Sequence, residues 1–193
     1  MAKEIIHGKK KSRTMSNIRK EVYLTEHAFL SLILSTIEVH PKETYGVLVG
    51  YRERNRYIIE YAIPYQTAER HQSFVYRNER AHEKMVRVLG DLAKVRNIGD
   101  FHSHPDTNVT PSDEDKEGMS PSEVYLVVGC DKKLREVPWN YNRDGTLSGT
   151  TRDNILKIRA FYPTDLDKEL IRYAPVLCPF ALGYRKPAQG LTD

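Results

Sequence analysis

Two histidines, placed one residue apart near the middle of the chain, form the clearest chemical pattern in this sequence. His102 and His104 end a stretch that begins at 98 and is typical of a strand. Because successive side chains of a strand point to opposite faces, both imidazoles are predicted to share one face. Pro105 follows at once, and a proline cannot donate to a sheet ladder, so the strand is predicted to end there.

A carboxylate candidate lies in the next predicted element. Ser112, directly after a proline, is typical of a helix N-cap, and Asp115 then falls in the first helical turn. Asp113 and Glu114 could equally serve as first-turn acids, and the spacing from His104 favours Asp115. Two imidazoles and one carboxylate with a vacant fourth position are the ligand set of a catalytic zinc.

A water activated by a metal ion also needs a proton acceptor that is not a ligand. Glu43 is the candidate, since it lies just before an apolar run at 47–50. A glutamate before a strand is by itself commonly an exposed charge. The ligand pattern downstream makes a general base the better interpretation.

These residues together resemble the complete signature of a known family. The pattern Glu-x-x-Gly before an apolar strand, then His-Ser-His-Pro, six residues, Ser, two residues and Asp, is similar to that of the JAMM (MPN-plus) zinc metalloproteases. The resemblance covers about residues 20–162. It implies an α/β MPN domain in which helices flank a mixed, curved β-sheet, and the interleaved strand and helix patterns favour the same class.

The resemblance also implies a role for each signature residue. His102, His104 and Asp115 would hold one Zn²⁺, Glu43 would be the catalytic base, and Ser112 would help to hold the oxyanion. The expected reaction is hydrolysis of isopeptide bonds, which removes ubiquitin or ubiquitin-like modifiers from target proteins. The expected partners are modifier conjugates, with the proteasome or another complex as a further possibility.

Other functions remain open at this point. A C-terminal processing peptidase for a ubiquitin-like or sulfur-carrier precursor would use the same chemistry. A catalytically silent MPN scaffold is a second alternative, although silent members usually lack the ligands. A RadC-like, DNA-repair-associated protein shares the His-x-His-Pro loop but lacks the upstream Glu-x-x-Gly strand. Two polar segments, 64–77 and 138–153, are either counterparts of the family's substrate-binding insertions or ordinary surface loops.

Composition limits the classes further. Residues 1–20 carry seven Lys or Arg and one acid, a charge of +6, so the remainder carries −2. This predicts a disordered basic arm and argues against a nucleic-acid-binding domain. The longest apolar run, 28–37, is too short to span a bilayer. Cys130 and Cys178 lie far apart and favour a reducing, cytoplasmic location.

The pattern of apolar residues predicts the elements that position the site. A helix over 26–39 capped by Thr25, a second helix from Asn78 to about 95, and a buried central strand at 123–129 are the clearest. The further predictions are strands at 22–24, 46–51, 57–63, 74–76, 134–141 and, as an outer strand, 154–162, a turn at 142–145, and a short helix from Thr164 to 171. The predicted organisation is an arm at 1–20, an MPN domain at 21–173 and an extension at 174–193.

Overall fold

The computed structural model of the protein describes residues 20–71, 75–76, 78–92, 96–164 and 170–183. Residues 1–19 of the predicted basic arm and residues 184–193 of the predicted extension lie outside this part of the chain. The division into arm, MPN domain and extension therefore stays a prediction. Among the described helices, none is long and apolar enough to cross a membrane.

Strands and helices are interleaved along the described chain, which confirms the α/β class. The helices are Glu26–Val39 (α1), Glu79–Leu92 (α2) and Asp113–Glu117 (α3), with a short 3-10 helix at Pro179–Leu182. The strands are Glu21–Leu24 (β1), Tyr45–Arg52 (β2), Arg56–Pro64 (β3), Glu69–Arg70 (β4), Val75–Tyr76 (β5), Arg96–His104 (β6), Val124–Lys132 (β7), Asn140–Tyr141 (β8), Leu147–Thr150 (β9), Asn154–Pro163 (β10), Ile171–Ala174 (β11) and Val176–Leu177 (β12).

Ten of the described strands form one mixed sheet in the order β12-β1-β3-β2-β6-β7-β10-β9-β8, with β11 also paired to β10. The central strands β6 and β7 are parallel, whereas β2 is antiparallel to β6 and β10 is antiparallel to β7. The two ends of the sheet approach each other, because the Val176 amide donates to the Gly145 carbonyl at 3.0 Å. The sheet is therefore curved and nearly closed, as expected for an MPN domain.

Helix α1 begins as predicted, since the Thr25 hydroxyl accepts a hydrogen bond from the Ala28 amide. Phe29, with Ile33, is buried in the core that α1 shares with the concave sheet. Leu30 and Leu34 form a second apolar stripe on this helix, and two stripes predict a helix that is mostly buried. This is wrong, because Leu34 is 64% exposed. A helix lying against one sheet buries a single face, so its second stripe stays in solvent.

Thr36, on α1, offers a test of this packing. Its side chain is 1% exposed, and its hydroxyl has no hydrogen-bond partner among the described residues. Because an unsatisfied buried hydroxyl costs free energy, we expect Thr36→Val to raise the free energy of unfolding by about 1 kcal/mol. The matched control is Thr25→Val, which removes the N-cap bond and should lower stability by about 1 kcal/mol. Urea denaturation of both variants checks the pair; equal shifts in the same direction would contradict it.

Two predictions for the C-terminal half are wrong. The strand predicted at 134–141 is confined to Asn140–Tyr141, and Leu134 is 98% exposed. Strand β10 is interior rather than outer, since it pairs with β7, β9 and β11. The alternation within this strand includes Lys157 and Arg159, and both side chains are paired with Asp144.

The short helix predicted from Thr164 falls partly on 165–169, outside the described residues, and Ile171 lies in β11. Strand β9 was not predicted, because Gly149 weakens a strand pattern. The structure shows the reason for this glycine: a Cβ at position 149 would lie 2.4 Å from the Trp139 ring. Val176 and Leu177, which lie in the predicted C-terminal extension, form β12 and pair with β1 of the main sheet.

Candidate metal centre

The two histidines lie at the C-terminal end of β6, in the middle of the sheet. Phe101 and Ser103 are 0% and 1% exposed on the face that packs toward α1, so His102 and His104 share the opposite face. His104 is paired in register with Gly129 of β7. Hydrogen bonds to neighbouring strands on both sides of β6 hold this segment, and the predicted common face of the imidazoles follows from strand geometry.

The carboxylate comes from the first turn of α3. The Ser112 hydroxyl accepts from the Asp115 amide at 3.1 Å, and the Ser112 amide donates to Asp115 Oδ2 at 2.7 Å, which forms a capping box. The same hydroxyl donates to Asp115 Oδ2 at 2.7 Å. This confirms Ser112 as the predicted N-cap. Two of these hydrogen bonds hold the carboxylate of Asp115, and the third holds its backbone amide.

The three side chains meet with spacings that suit a metal ion. One ligand atom from each of His102, His104 and Asp115 lies within 4.8 Å of the others. The two Nε2 atoms are 3.1 Å apart, and His102 Nε2 lies 3.5 Å from Asp115 Oδ2. A tetrahedral zinc with bonds of about 2.0–2.2 Å separates its ligand atoms by about 3.3–3.6 Å. The donor set therefore fits a tetrahedral cation that retains one free position.

The protonation states of the two imidazoles also suit the binding of a cation. His104 Nδ1 lies 2.8 Å from the Asn108 carbonyl, which only accepts, so Nδ1 carries the proton and Nε2 keeps its lone pair. Burial lowers the pKa of His102, Asp115 opposes this shift and His104 adds to it, so that the resulting pKa is about 4. His102 is therefore neutral near pH 7, and the neutral imidazole is the form that binds metals.

Glu43 lies beside this centre, just before β2. It is 7% exposed, and its amide donates to the His71 carbonyl at 2.9 Å. Burial, together with the negative charges of Asp115 and Asp106, raises the pKa of Glu43 to about 7. The carboxyl of Glu43, the predicted base, is therefore near enough to Asp115 of the cluster for their charges to interact, although the two residues are 72 positions apart in sequence.

The raised pKa of Glu43 predicts how stability depends on pH in the metal-free protein. The Glu43 carboxyl ionises near pH 4.5 in the unfolded state and near pH 7 in the folded state. Its contribution to the free energy of unfolding is therefore fully present below pH 4.5 and is lost as the pH rises to about 7. Glu43→Gln should remove this loss, and at pH 8 its free energy of unfolding should exceed that of the wild type by about 3 kcal/mol. Denaturation with a chelator at pH 4.5 and pH 8 measures it; an equal difference at both pH values would contradict it.

Two glycines shape the centre: Gly46, which belongs to the Glu-x-x-Gly pattern, and Gly129, which the sequence reasoning did not single out. A Cβ at Gly46 would lie 2.3 Å from the Ile63 carbonyl and 2.5 Å from the Phe101 ring, which explains the glycine of the Glu-x-x-Gly pattern. A Cβ at Gly129 would lie 2.7 Å from the Asp106 carbonyl. The loop after His104 therefore crosses directly over Gly129. A glycine ending an apolar strand is the only sequence signal for it.

Gly129→Ala tests the seating of this loop. The nearby atoms are backbone atoms of Asp106 and Thr107, which cannot rotate away, so the loop must shift and carry the Asn108 carbonyl from His104. We expect metal affinity to fall about tenfold, as for loss of an outer-shell partner. Competition with a chromogenic chelator measures the affinity. The control is Gly90→Ala in α2, where a Cβ meets open space; loss of affinity there as well would refute the argument.

Comparisons with known proteins agree with this architecture. No curated protein matches the chain. Among solved structures, the solution structure of protein DSY2949 from Desulfitobacterium hafniense matches with a TM-score of 0.55 at 19% identity, covering 81% of this chain and 92% of that one. At this identity the match supports the fold alone.

A family model identifies the chain more directly. The model described as prokaryotic homologs of the JAB domain matches residues 25–141, which span the predicted base, the two histidines and the carboxylate. This range covers more than half of the sequence. It also agrees with the JAMM/MPN resemblance of the signature residues. This chain belongs to the Prok-JAB family, the prokaryotic homologues of the JAB domain.

Proposed function

We propose that this protein is a zinc-dependent hydrolase of isopeptide bonds that removes ubiquitin or ubiquitin-like modifiers from target proteins. The proposal is carried by one juxtaposition: a three-donor cluster lies beside a buried glutamate whose pKa is raised to about 7. A silent scaffold has no need to bury a carboxylate at a metal cluster. Burying such a group costs free energy, and its presence favours catalysis.

The positions of the cluster and of Glu43, together with the family resemblance, support a role for each residue. His102, His104 and Asp115 would hold one Zn²⁺, which supplies Lewis-acid chemistry that acidifies a water and polarises the scissile carbonyl. Glu43, with a pKa of about 7, accepts a proton from the attacking water and donates it to the leaving lysine amine. The Ser112 hydroxyl donates to Asp115 in this structure. We propose that it turns from Asp115 to donate to the developing oxyanion during the reaction.

The proposed substrate rests on what surrounds the cluster. The polar segment 64–77 starts at Pro64, which is paired with Gly46 at the Glu43 end of β2. The segment 138–153 belongs to the connection that follows β7, whose Gly129 is paired with His104. Segment 64–77 therefore leaves the sheet at the end that carries the cluster. Segment 138–153 contains β8 and β9, which belong to the sheet, and only its first and last residues lie at that end. An extended modifier C-terminus between the two segments is the arrangement that we propose.

Paired substrates test this function. The purified protein is incubated with zinc and two fusions of one ubiquitin-like modifier, one joined to a lysine side chain and one joined linearly. Cleavage of the isopeptide fusion, abolished by a chelator and restored by zinc, is the expected result. Exclusive cleavage of the linear fusion would instead favour the processing peptidase. Failure to cleave either fusion, across several modifiers, would overturn the proposal.

A further inference from the structure

Ser103, the residue between the two histidines, makes an unusual connection to the segment that carries Glu43. Its amide donates to the Thr44 carbonyl at 3.0 Å, and the Thr44 amide donates to Ser103 Oγ at 2.8 Å. In a regular antiparallel pair the second bond would end on a backbone carbonyl. Here a side-chain hydroxyl takes that place, so the residue type at 103 decides whether the bond exists.

The position of this connection links it to the candidate base. The regular ladder between β2 and β6 ends at the pair Tyr45–His102, one step before Thr44. Beyond the ladder, the backbone of 43 and 44 is held by the Ser103 bonds and by the bond from the Glu43 amide to the His71 carbonyl. The hydroxyl of Ser103 thus ties the base-bearing segment to the strand that carries both histidines.

Burial makes this tie strong. Ser103 is 1% exposed and Thr44 is 0% exposed, so water cannot readily replace a lost partner of the Thr44 amide. An alanine at 103 would preserve the strand and the bond to the Thr44 carbonyl but would leave that amide unsatisfied. The segment would then move to find another partner, and it would take Glu43 with it.

We propose that Ser103 is a positioning residue, whose hydroxyl holds the backbone at Thr44 and thereby sets Glu43 against the cluster of His102, His104 and Asp115. The catalytic consequence rests on the proposed function. The holding of the segment does not, because it belongs to the polypeptide itself and can be measured without metal or substrate.

The first arm of the test uses metal-free protein and amide hydrogen exchange at Glu43 and Thr44. Ser103→Ala and the near-isosteric Ser103→Cys, whose sulfur is a weak acceptor, should each speed exchange at both amides by about tenfold or more. Ser103→Thr, which keeps the hydroxyl, should retain wild-type exchange. Ile59→Val, a core change on β3, controls for general destabilisation and should also leave both amides protected.

The second arm uses zinc-loaded protein and the isopeptide fusion. In Ser103→Ala, kcat should fall about tenfold to a hundredfold, with KM and zinc stoichiometry unchanged, because small misplacements of a catalytic group have effects of that size. Ser103→Thr should recover most of kcat. Loss of kcat with retained metal separates a misplaced base from a damaged metal site.

Each outcome decides the inference. Unchanged amide exchange at Glu43 in Ser103→Ala overturns the proposal for Ser103, whatever the activity of the variant. Faster exchange at both amides combined with a wild-type kcat overturns it as well. If the wild type hydrolyses nothing, the proposed function fails, and exchange at Glu43 alone then decides whether Ser103 holds the segment. Faster exchange at both amides, reversed in Ser103→Thr, supports it in that case too.

Discussion

Glu43→Gln should bind one equivalent of zinc and lose isopeptide hydrolysis by a factor of about 10²–10⁴, the range expected for removal of a general base. Glutamine has nearly the same size as glutamate but cannot accept the proton at neutral pH. The contacts among His102, His104 and Asp115 do not involve the Glu43 side chain, so the substitution should leave the three donors in place. Metal content by atomic spectroscopy and kcat on the isopeptide fusion measure the two properties separately.

Glu38→Gln is the matched control, because Glu38 is an exposed glutamate near the end of α1. It should keep both zinc and full turnover. Full turnover in Glu43→Gln would show that another group accepts the proton, and loss of zinc in that variant would place Glu43 among the ligands. Either result would contradict the role proposed here for Glu43.

His104→Ala should lose both zinc and hydrolysis. Removal of this imidazole leaves two of the three donors of the cluster. We expect the loss of affinity to exceed the roughly 100-fold that removal of an outer-shell partner can cost. Titration with zinc against a chromogenic chelator measures the affinity, and the isopeptide fusion measures turnover.

The matched control for this variant is His27→Ala, since His27 is an exposed histidine in the first turn of α1. Its zinc affinity and turnover should equal those of the wild type. If His104→Ala retained stoichiometric zinc with wild-type affinity, the cluster of His102, His104 and Asp115 would not be the metal site. Zinc lost equally from both variants would point to nonspecific binding by histidines.

Local patterns predicted much of the fold because they depend on neighbouring residues. The Thr25 cap and α1 follow from helical spacing and a threonine at the right place, and both are confirmed. The Ser112 cap is confirmed for the same reason. The burial of Leu34 and the edge position of β10 were wrong, because each depends on which other strand or helix lies alongside.

The sequence by itself determined which side chains are available for chemistry: two histidines that share a strand face, an aspartate in a capped helical turn, and a glutamate before an apolar strand. Alternation along a strand and the start of a helix are local, so they can be inferred from spacing. Only the tertiary structure decided how these pieces meet, since the pairing of β2 with β6 brings Thr44, the neighbour of Glu43, against Ser103. The burial that raises the pKa of Glu43 and the Ser103 bond that holds its segment arise from that pairing, and no spacing within the chain encodes them.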